Sequence, residues 1–181
     1  MTDSMHIHGA DPLPRSGEGF VLRRLTVADL SAFQAYRGDA ELGCYQGWRP
    51  MLDADAVAFL AEMHAAPFPR RGDWTQIAIA RPEDDGLIGD IGIYFAEDGQ
   101  HAEIGFTLSR PAQGRGIATS AVRDAIALIF SVSDVARVIA VTDARNVPSI
   151  RLLERVGMLR VHTREAVFRG EPCLEHTYAT P

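Results

Sequence analysis

The sequence predicts an α/β fold on a mixed β-sheet, and three observations carry that reading. Strand-like alternation and helical periodicity follow one another in the order strand, two helices, three strands, helix, strand, helix, two strands. Midway, a strand-like segment from His101 to Leu108 passes through a short glycine-bearing loop into an amphipathic helix, Ile117 to Phe130. The chain has 181 residues, 46% apolar and 23% charged, which is the size and composition of one folded domain.

The elements follow in order. Met1 to Gly19 is polar and rich in Gly, Pro and His, and reads as a loose arm ahead of a single domain, 20–181. His6 and His8 in that arm read as part of a solvated tail rather than as metal ligands. Phe20 to Leu25 is a first strand. Thr26 then opens a helix that runs to about Tyr36, with Asp29 at the capping-box position. Gly38 to Pro50 is loop. Asp53 is placed to cap a second helix to about Ala65, which Pro67, Pro69 and Gly72 end. Trp74 to Ala80 and Leu87 to Phe95 form a hairpin across Pro82-Glu83-Asp84-Asp85-Gly86, and His101 to Leu108 extends the meander. The helix from Ile117 places Ala118, Val122, Ala125 and Ile129 on one face. Arg137 to Thr142 is a strand and Ser149 to Val156 a helix with Gly157 as its C-cap. Leu159 to Phe168 and Cys173 to Ala179 are the final strands, joined across Arg169-Gly170-Glu171-Pro172.

The run Gln113-Gly114-Arg115-Gly116-Ile117-Ala118 carries the chemistry. The first turn of a helix has unpaired N–H groups and the positive end of the helix dipole, which together suit a phosphate. Gly114 and Gly116 leave the backbone open to close approach, and Arg115 adds a guanidinium. The loop is not a P-loop, because no Gly-Lys-Ser/Thr follows. It also departs from the dinucleotide fingerprint, since Thr119 stands where a third Gly or Ala belongs. Read alone, it fits an anion site or simply a tight helix start.

The net charge of −6 is unevenly spread. Residues 1–109 carry 8 Arg and 17 Asp or Glu, whereas residues 110–169 carry 10 Arg and 5 Asp or Glu. Ordinary solvated surfaces explain such a split. It also suits an anionic cofactor on the basic half and a cationic acceptor on the acidic half. The net acidity argues against general nucleic-acid binding. No apolar run approaches the length of a membrane span, and no basic-then-apolar leader begins the chain. Two cysteines, Cys44 and Cys173, make no disulfide framework, so a reducing cytoplasm is expected.

Gln113-x-x-Gly116-x-Ala118 resembles the (Arg/Gln)-x-x-Gly-x-(Gly/Ala) signature of the GNAT superfamily of acetyl-CoA-dependent N-acetyltransferases. Ala102-Glu103-Ile104-Gly105-Phe106 before it looks like that family's fourth strand. Asn146-Val147-Pro148-Ser149 and Glu154-Arg155-Val156-Gly157-Met158 after it look like the next helix and turn. The resemblance is specific over about 101–158 and is closest to the branch containing the ribosomal-protein N-terminal acetyltransferases. It implies a mixed, mostly antiparallel central sheet with flanking helices, whose fourth and fifth strands splay apart around acetyl-CoA. It also implies acetyl-CoA as cosubstrate with no metal, and a small-molecule amine or protein N-terminus as acceptor. Self-association as a homodimer is left open.

By the same resemblance, backbone groups of Phe106, Thr107 and Leu108 meet the pantetheine arm and Gln113 to Thr119 take the pyrophosphate. Asn146 and Ser149 touch the cofactor near its sulfur; Asn146 equally fits a plain helix N-cap. Acyl transfer to an amine needs a base, and Glu103 is the candidate: it sits in mid-strand among apolar neighbours and shares a face with His101, Gly105 and Thr107. The departing thiolate takes a proton. Many family members supply it from a Tyr at the position that Leu153 fills here, which turns attention to Ser149, with Tyr178 as a distant alternative. Neither cysteine sits in a nucleophile-like context, so direct attack in a ternary complex is expected. Tyr45, Trp48 and Tyr94, with the turn near Arg169, are the acceptor-side candidates. The rival reading is a non-catalytic acyl-CoA-binding or sensing module on the same fold.

Overall fold

The computed structural model describes residues 11–181. Its eight-stranded sheet runs in the order β1-β2-β3-β4-β5-β6-β8-β7. The strands are β1 (Arg15–Gly17), β2 (Phe20–Arg24), β3 (Trp74–Ala80), β4 (Leu87–Phe95), β5 (His101–Leu108), β6 (Arg137–Asp143), β7 (Leu159–Phe168) and β8 (Glu171–Ala179). The helices are α1 (Leu30–Arg37), α2 (Asp53–Ala65), α3 (Ile117–Val132) and α4 (Val147–Val156). Every strand pair is antiparallel except β5 with β6. The family's fourth and fifth strands are therefore β5 and β6 here, because Arg15–Gly17 adds a strand ahead of Phe20.

That added strand differs from the loose arm expected over 1–19. Arg15, Ser16 and Gly17 pair with Leu22, Val21 and Phe20, and Leu13 is buried. The reading of His6 and His8 lies outside the described residues.

Alternation along the strands divides the core in two. Ile77 and Ile79 of β3 pack with Ile91, Ile93, Ala102 and Ile104 beneath α3 and α4. Ala78, between them, points to the opposite face and packs with Phe33, Tyr36, Leu60 and Met63 of α1 and α2. Four details of the expected elements shift. Asp53 is the first residue of α2 rather than its cap, which is Leu52; its carboxylate still lies at the positive end of the helix. At the β3–β4 turn the positive φ falls on Asp85, not Gly86, and Arg23 grips the Asp85 side chain and carbonyl at 2.7 Å each. The β7–β8 turn is only Arg169-Gly170, both with positive φ, the geometry of a two-residue hairpin. The helix beginning at Ile117 extends two residues past Phe130.

One buried ion pair links the second core to the sheet. Arg37, 3% exposed, pairs with Asp90 of β4, 2% exposed, and Tyr36 donates to the same carboxylate at 2.8 Å. The guanidinium lies over the rings of Phe33 (4.9 Å) and Trp48 (4.6 Å). Burial, with the adjacent Asp90 charge, raises the Tyr36 phenol well above its usual value, so it stays a donor. Asp90→Ala strands the guanidinium without its counter-charge, and we expect it to lower unfolding free energy by about 3–5 kcal/mol. Urea denaturation of the pure proteins measures this.

Candidate active site

The site begins where two strands part. β5 pairs with β6 over only His101–Arg137, Ala102–Val138 and Glu103–Ile139. Beyond Glu103, β5 stays on β4 while β6 continues along β8 to Asp143. The splay implied by the resemblance is thus visible as a loss of register, and Glu103 stands at its vertex. The parting leaves β5 with a bare edge. Two carboxamides cover it: Gln46 Nε2 donates to the Phe106 carbonyl at 3.3 Å, and Gln113 Nε2 to the Leu108 carbonyl at 2.8 Å.

The chain then makes a single helical turn at Arg110–Ala112 and enters the glycine loop. Gly114 (φ 75°) and Gly116 (φ 80°) are left-handed, and a Cβ on either meets nothing within 4 Å. Gly116 is the N-cap of α3, and no side chain caps the helix. A 16-residue helix therefore presents its first-turn N–H groups uncapped. They face a cleft of about 660 Å³ that runs between this turn, the β5 edge at Phe106–Leu108 and the start of α4.

Of the candidate cofactor residues, Phe106, Thr107, Leu108, Gln113, Gly114, Gly116, Ile117, Ala118, Thr119, Asn146 and Ser149 all line this cleft. Arg115 does not. It borders a separate hollow of about 490 Å³ beside Glu18 and Arg81. The outward turn of Ala118 into the cleft explains why the buried stripe of α3 is Ala121, Val122, Ala125 and Ile129 with Ile117, rather than a stripe centred on Ala118.

Around α4 the roles divide. Asn146 is its N-cap and accepts from the Ser149 N–H at 3.3 Å. The cap is thus the Asn146 carboxamide, and the Ser149 hydroxyl is half-exposed in the cleft. Leu153 is fully buried in the main core, so the position that carries a Tyr in many family members offers no hydroxyl. Tyr178 is also withdrawn: its hydroxyl donates to Glu154 at 3.3 Å. The cleft face of α4 is Pro148, Ser149, Leu152 and Arg155. Arg155 is a cleft cation that sequence reading passed over; its three-residue spacing from Leu152 is the signal that finds it.

Glu103 does not line the cleft itself. It lies at the vertex on the opposite face of the sheet, directly across from Tyr94. It is half-buried, and burial raises its carboxyl above the ordinary glutamate value. Glu175 pushes the same way, while His101 and Arg164 pull it back. Of the acceptor-side candidates, Tyr45 borders the cleft. Trp48 instead stacks on Arg37 and anchors its loop, and Arg169 at the β7–β8 turn donates to the carbonyls of Gln46 and Trp48 at 3.1 Å each. Tyr94 packs against Trp74, ring centroids 5.7 Å apart. Among the described residues no cluster of three or more His, Cys, Asp or Glu is placed to hold a metal ion.

The acetyltransferase (GNAT) domain family matches residues 20–159. An uncharacterized N-acetyltransferase of Bacillus licheniformis, p20, is 28% identical over 149 residues, 79% of this chain and 83% of that protein. A GNAT-family acetyltransferase from Bacillus anthracis shares the fold with a TM-score of 0.81 at 21% identity, covering 92% of this chain and 97% of its own. RimL, a ribosomal alpha-N-protein acetyltransferase solved in complex with coenzyme A, superposes with a TM-score of 0.76 at 14% identity, covering 91% and 95%.

The division of labour on α4 has a direct consequence. Asn146→Ala removes the cap and should cost about 1 kcal/mol, seen as a lower melting temperature. Ser149→Ala leaves the cap in place and should leave the melting temperature unchanged.

Proposed function

The chain belongs to the GNAT acetyltransferases, and from that premise we propose that it moves the acetyl group of acetyl-CoA to a primary amine by direct attack in a ternary complex. The observation that carries the reading is the juxtaposition of an uncapped helix N-terminus with a strand edge that splays from Glu103. The residues fit the cosubstrate. The open glycines and first-turn N–H groups of α3 accept a pyrophosphate. From Leu108 back to Glu103, β5 spans about 17 Å at ~3.4 Å per residue, room for an extended pantetheine arm. Its thioester end then arrives at the vertex, beside Glu103.

Glu103 is the base of this reading. It takes a proton from the ammonium, directly or through a water, and the freed nitrogen forms the N–C bond to the thioester carbon. The nitrogen, now bonded to carbon, sheds its second proton as the C–S bond breaks and its electron pair leaves on sulfur, and the thiolate takes up one proton in return. On this reading Ser149, whose hydroxyl is not spent on capping, relays that proton to sulfur, taking one up from the nitrogen side through water as it gives its own. A cytoplasmic setting suits the two free cysteines. The second reading, a non-catalytic acyl-CoA-binding module, draws on Leu153, which lacks the hydroxyl that many family members place there. The half-buried, uncommitted carboxylate of Glu103 favours catalysis instead.

Acetyl-CoA should raise the melting temperature by mass action. Gly116→Val, which forces a β-branched residue to φ 80° and fills the anion cradle, should abolish that shift. An unchanged shift in a folded Gly116→Val protein contradicts the cofactor assignment.

Glu103→Gln should keep the shift and lower turnover by roughly 10²–10⁴-fold, followed as free-thiol release across an acceptor panel. Because the Glu103 pKa is raised, activity should fall as pH drops through a value above the ordinary glutamate range, where the carboxylate takes up its proton. Glu103→Gln should lose that limb of the pH profile. Full activity in the variant would mean that Glu103 is structural.

A further inference from the structure

On the face of the sheet that carries Glu103, the register aligns one row across four strands: Trp74, Tyr94, Glu103 and Ile139. Helices α1 and α2 cover this face farther along, over Ala78 and Asp90, and leave the row open. Trp74 is 38% exposed, and Tyr94, Glu103 and Ile139 are each half-exposed.

The next row is Gln76, Gly92 and Gly105. The Gln76 carboxamide folds over Gly92, and its Oε1 is buried with no hydrogen-bond partner. Over Gly105 the space is empty: a Cβ there meets nothing within 4 Å. An open trough thus lies over Gly105, flanked by Glu103 and bounded by the Gln76 side chain folded over Gly92.

Charge narrows what this trough takes. Three carboxylates on the same face are already paired: Asp90 with Arg37, Asp143 with Arg145 at 2.7 Å, and Glu175 with Arg164 at 2.8 Å; Glu171, also on this face, is exposed at the β7–β8 turn. Beside the trough, Glu103 is the carboxylate with no ion-pair partner. One free carboxylate matches one ammonium, whereas a polyamine needs several. A carboxylate-bearing acceptor would place its negative charge against Glu103. Beside Glu103 the next surface is aromatic, beginning one strand spacing away, about 5 Å, which a two-carbon linker spans. Tyr94 and Trp74 present that surface as a tilted pair, ring centroids 5.7 Å apart.

Resting on the acetyltransferase reading, we propose that the acceptor is a small primary monoamine carried on a short linker from a flat apolar ring. The ring lies on Trp74 and Tyr94, and the nitrogen sits over Gly105 beside Glu103.

The test uses 2-phenylethylamine, spermidine and a Ser-initiated peptide amide as probes on the full-length protein. With acetyl-CoA, thiol release should favour 2-phenylethylamine over both others by at least about tenfold in kcat/KM. Calorimetry on the CoA-saturated protein should detect 2-phenylethylamine binding whether or not turnover occurs. Gly105→Val has room for its side chain, so it should stay folded and keep the acetyl-CoA melting shift while losing amine binding. Trp74→Ala should raise KM for 2-phenylethylamine about tenfold. Preference for spermidine or the peptide overturns the proposal. So does absence of amine binding to the CoA-loaded protein, or unimpaired binding in Gly105→Val. Loss of the acetyl-CoA shift in the unsubstituted protein would instead overturn the cofactor reading, so the two failures are separable.

Discussion

The site depends on an unfinished strand pairing. A buried strand edge is costly unless every N–H and C=O finds a partner. β5 and β6 pair for three residues and then part, because β6 follows β8 and β5 follows β4. The edge exposed by that parting is a set of hydrogen-bonding groups with a cleft in front of it. Gln113 closes one of these permanently: its side chain reaches back five residues and fixes the glycine loop to the end of β5. Gln46 holds another from across the cleft, on a loop tied only at a few points. The strand edge and the helix N-terminus are thus one structure, joined by a single carboxamide.

The second constraint is how the loop between α1 and α2 is held. It has no regular structure over the cleft, yet it carries Tyr45 and Gln46. Its anchor is Trp48, stacked on a guanidinium that Asp90 fixes to the sheet, with Arg169 gripping its carbonyls from the far hairpin. A salt bridge this deep does little for net stability compared with an apolar pair. Its use here is positional: the charge gives Trp48 a flat, fixed surface, and Asp90 keeps that surface in register with β4.

Much of this was legible in the sequence, and the limits have physical causes. Element order came through because each strand and helix has its own period, and the glycine loop because left-handed backbone needs glycine at Gly114 and Gly116. The Asn146 cap followed from local chemistry alone. What escaped depends on pairing at a distance. Arg15–Gly17 is too short for a period and is a strand only because Phe20–Leu22 turns back on it. Trp48 looked like a binding aromatic because nothing local reveals the Arg37 beneath it. Arg155 is a polar residue on a helix, and only the fold brings it to the cleft. Leu153 could be placed in the family's pattern, but its burial is a tertiary fact.

The two halves of the chemistry need opposite electrostatics, and the fold keeps them apart. An anion is held best by uncapped N–H groups at the positive end of α3, whereas a base works best where burial makes its carboxylate readier to take a proton. Placed side by side, the helix end would stabilise the Glu103 charge and cancel the effect of burial. β5 separates them along its length and also sets them on opposite faces of the sheet. The helix field falls off within its first turn, so little of it reaches the vertex. What Glu103 meets there is Tyr94 across the strand, Gly105 and His101 two residues to either side, and the opposed charges of Arg164 and Glu175. On the proposed reading, a single splayed strand links the anion site at one end to a proton acceptor at the other, each in the surroundings its charge requires.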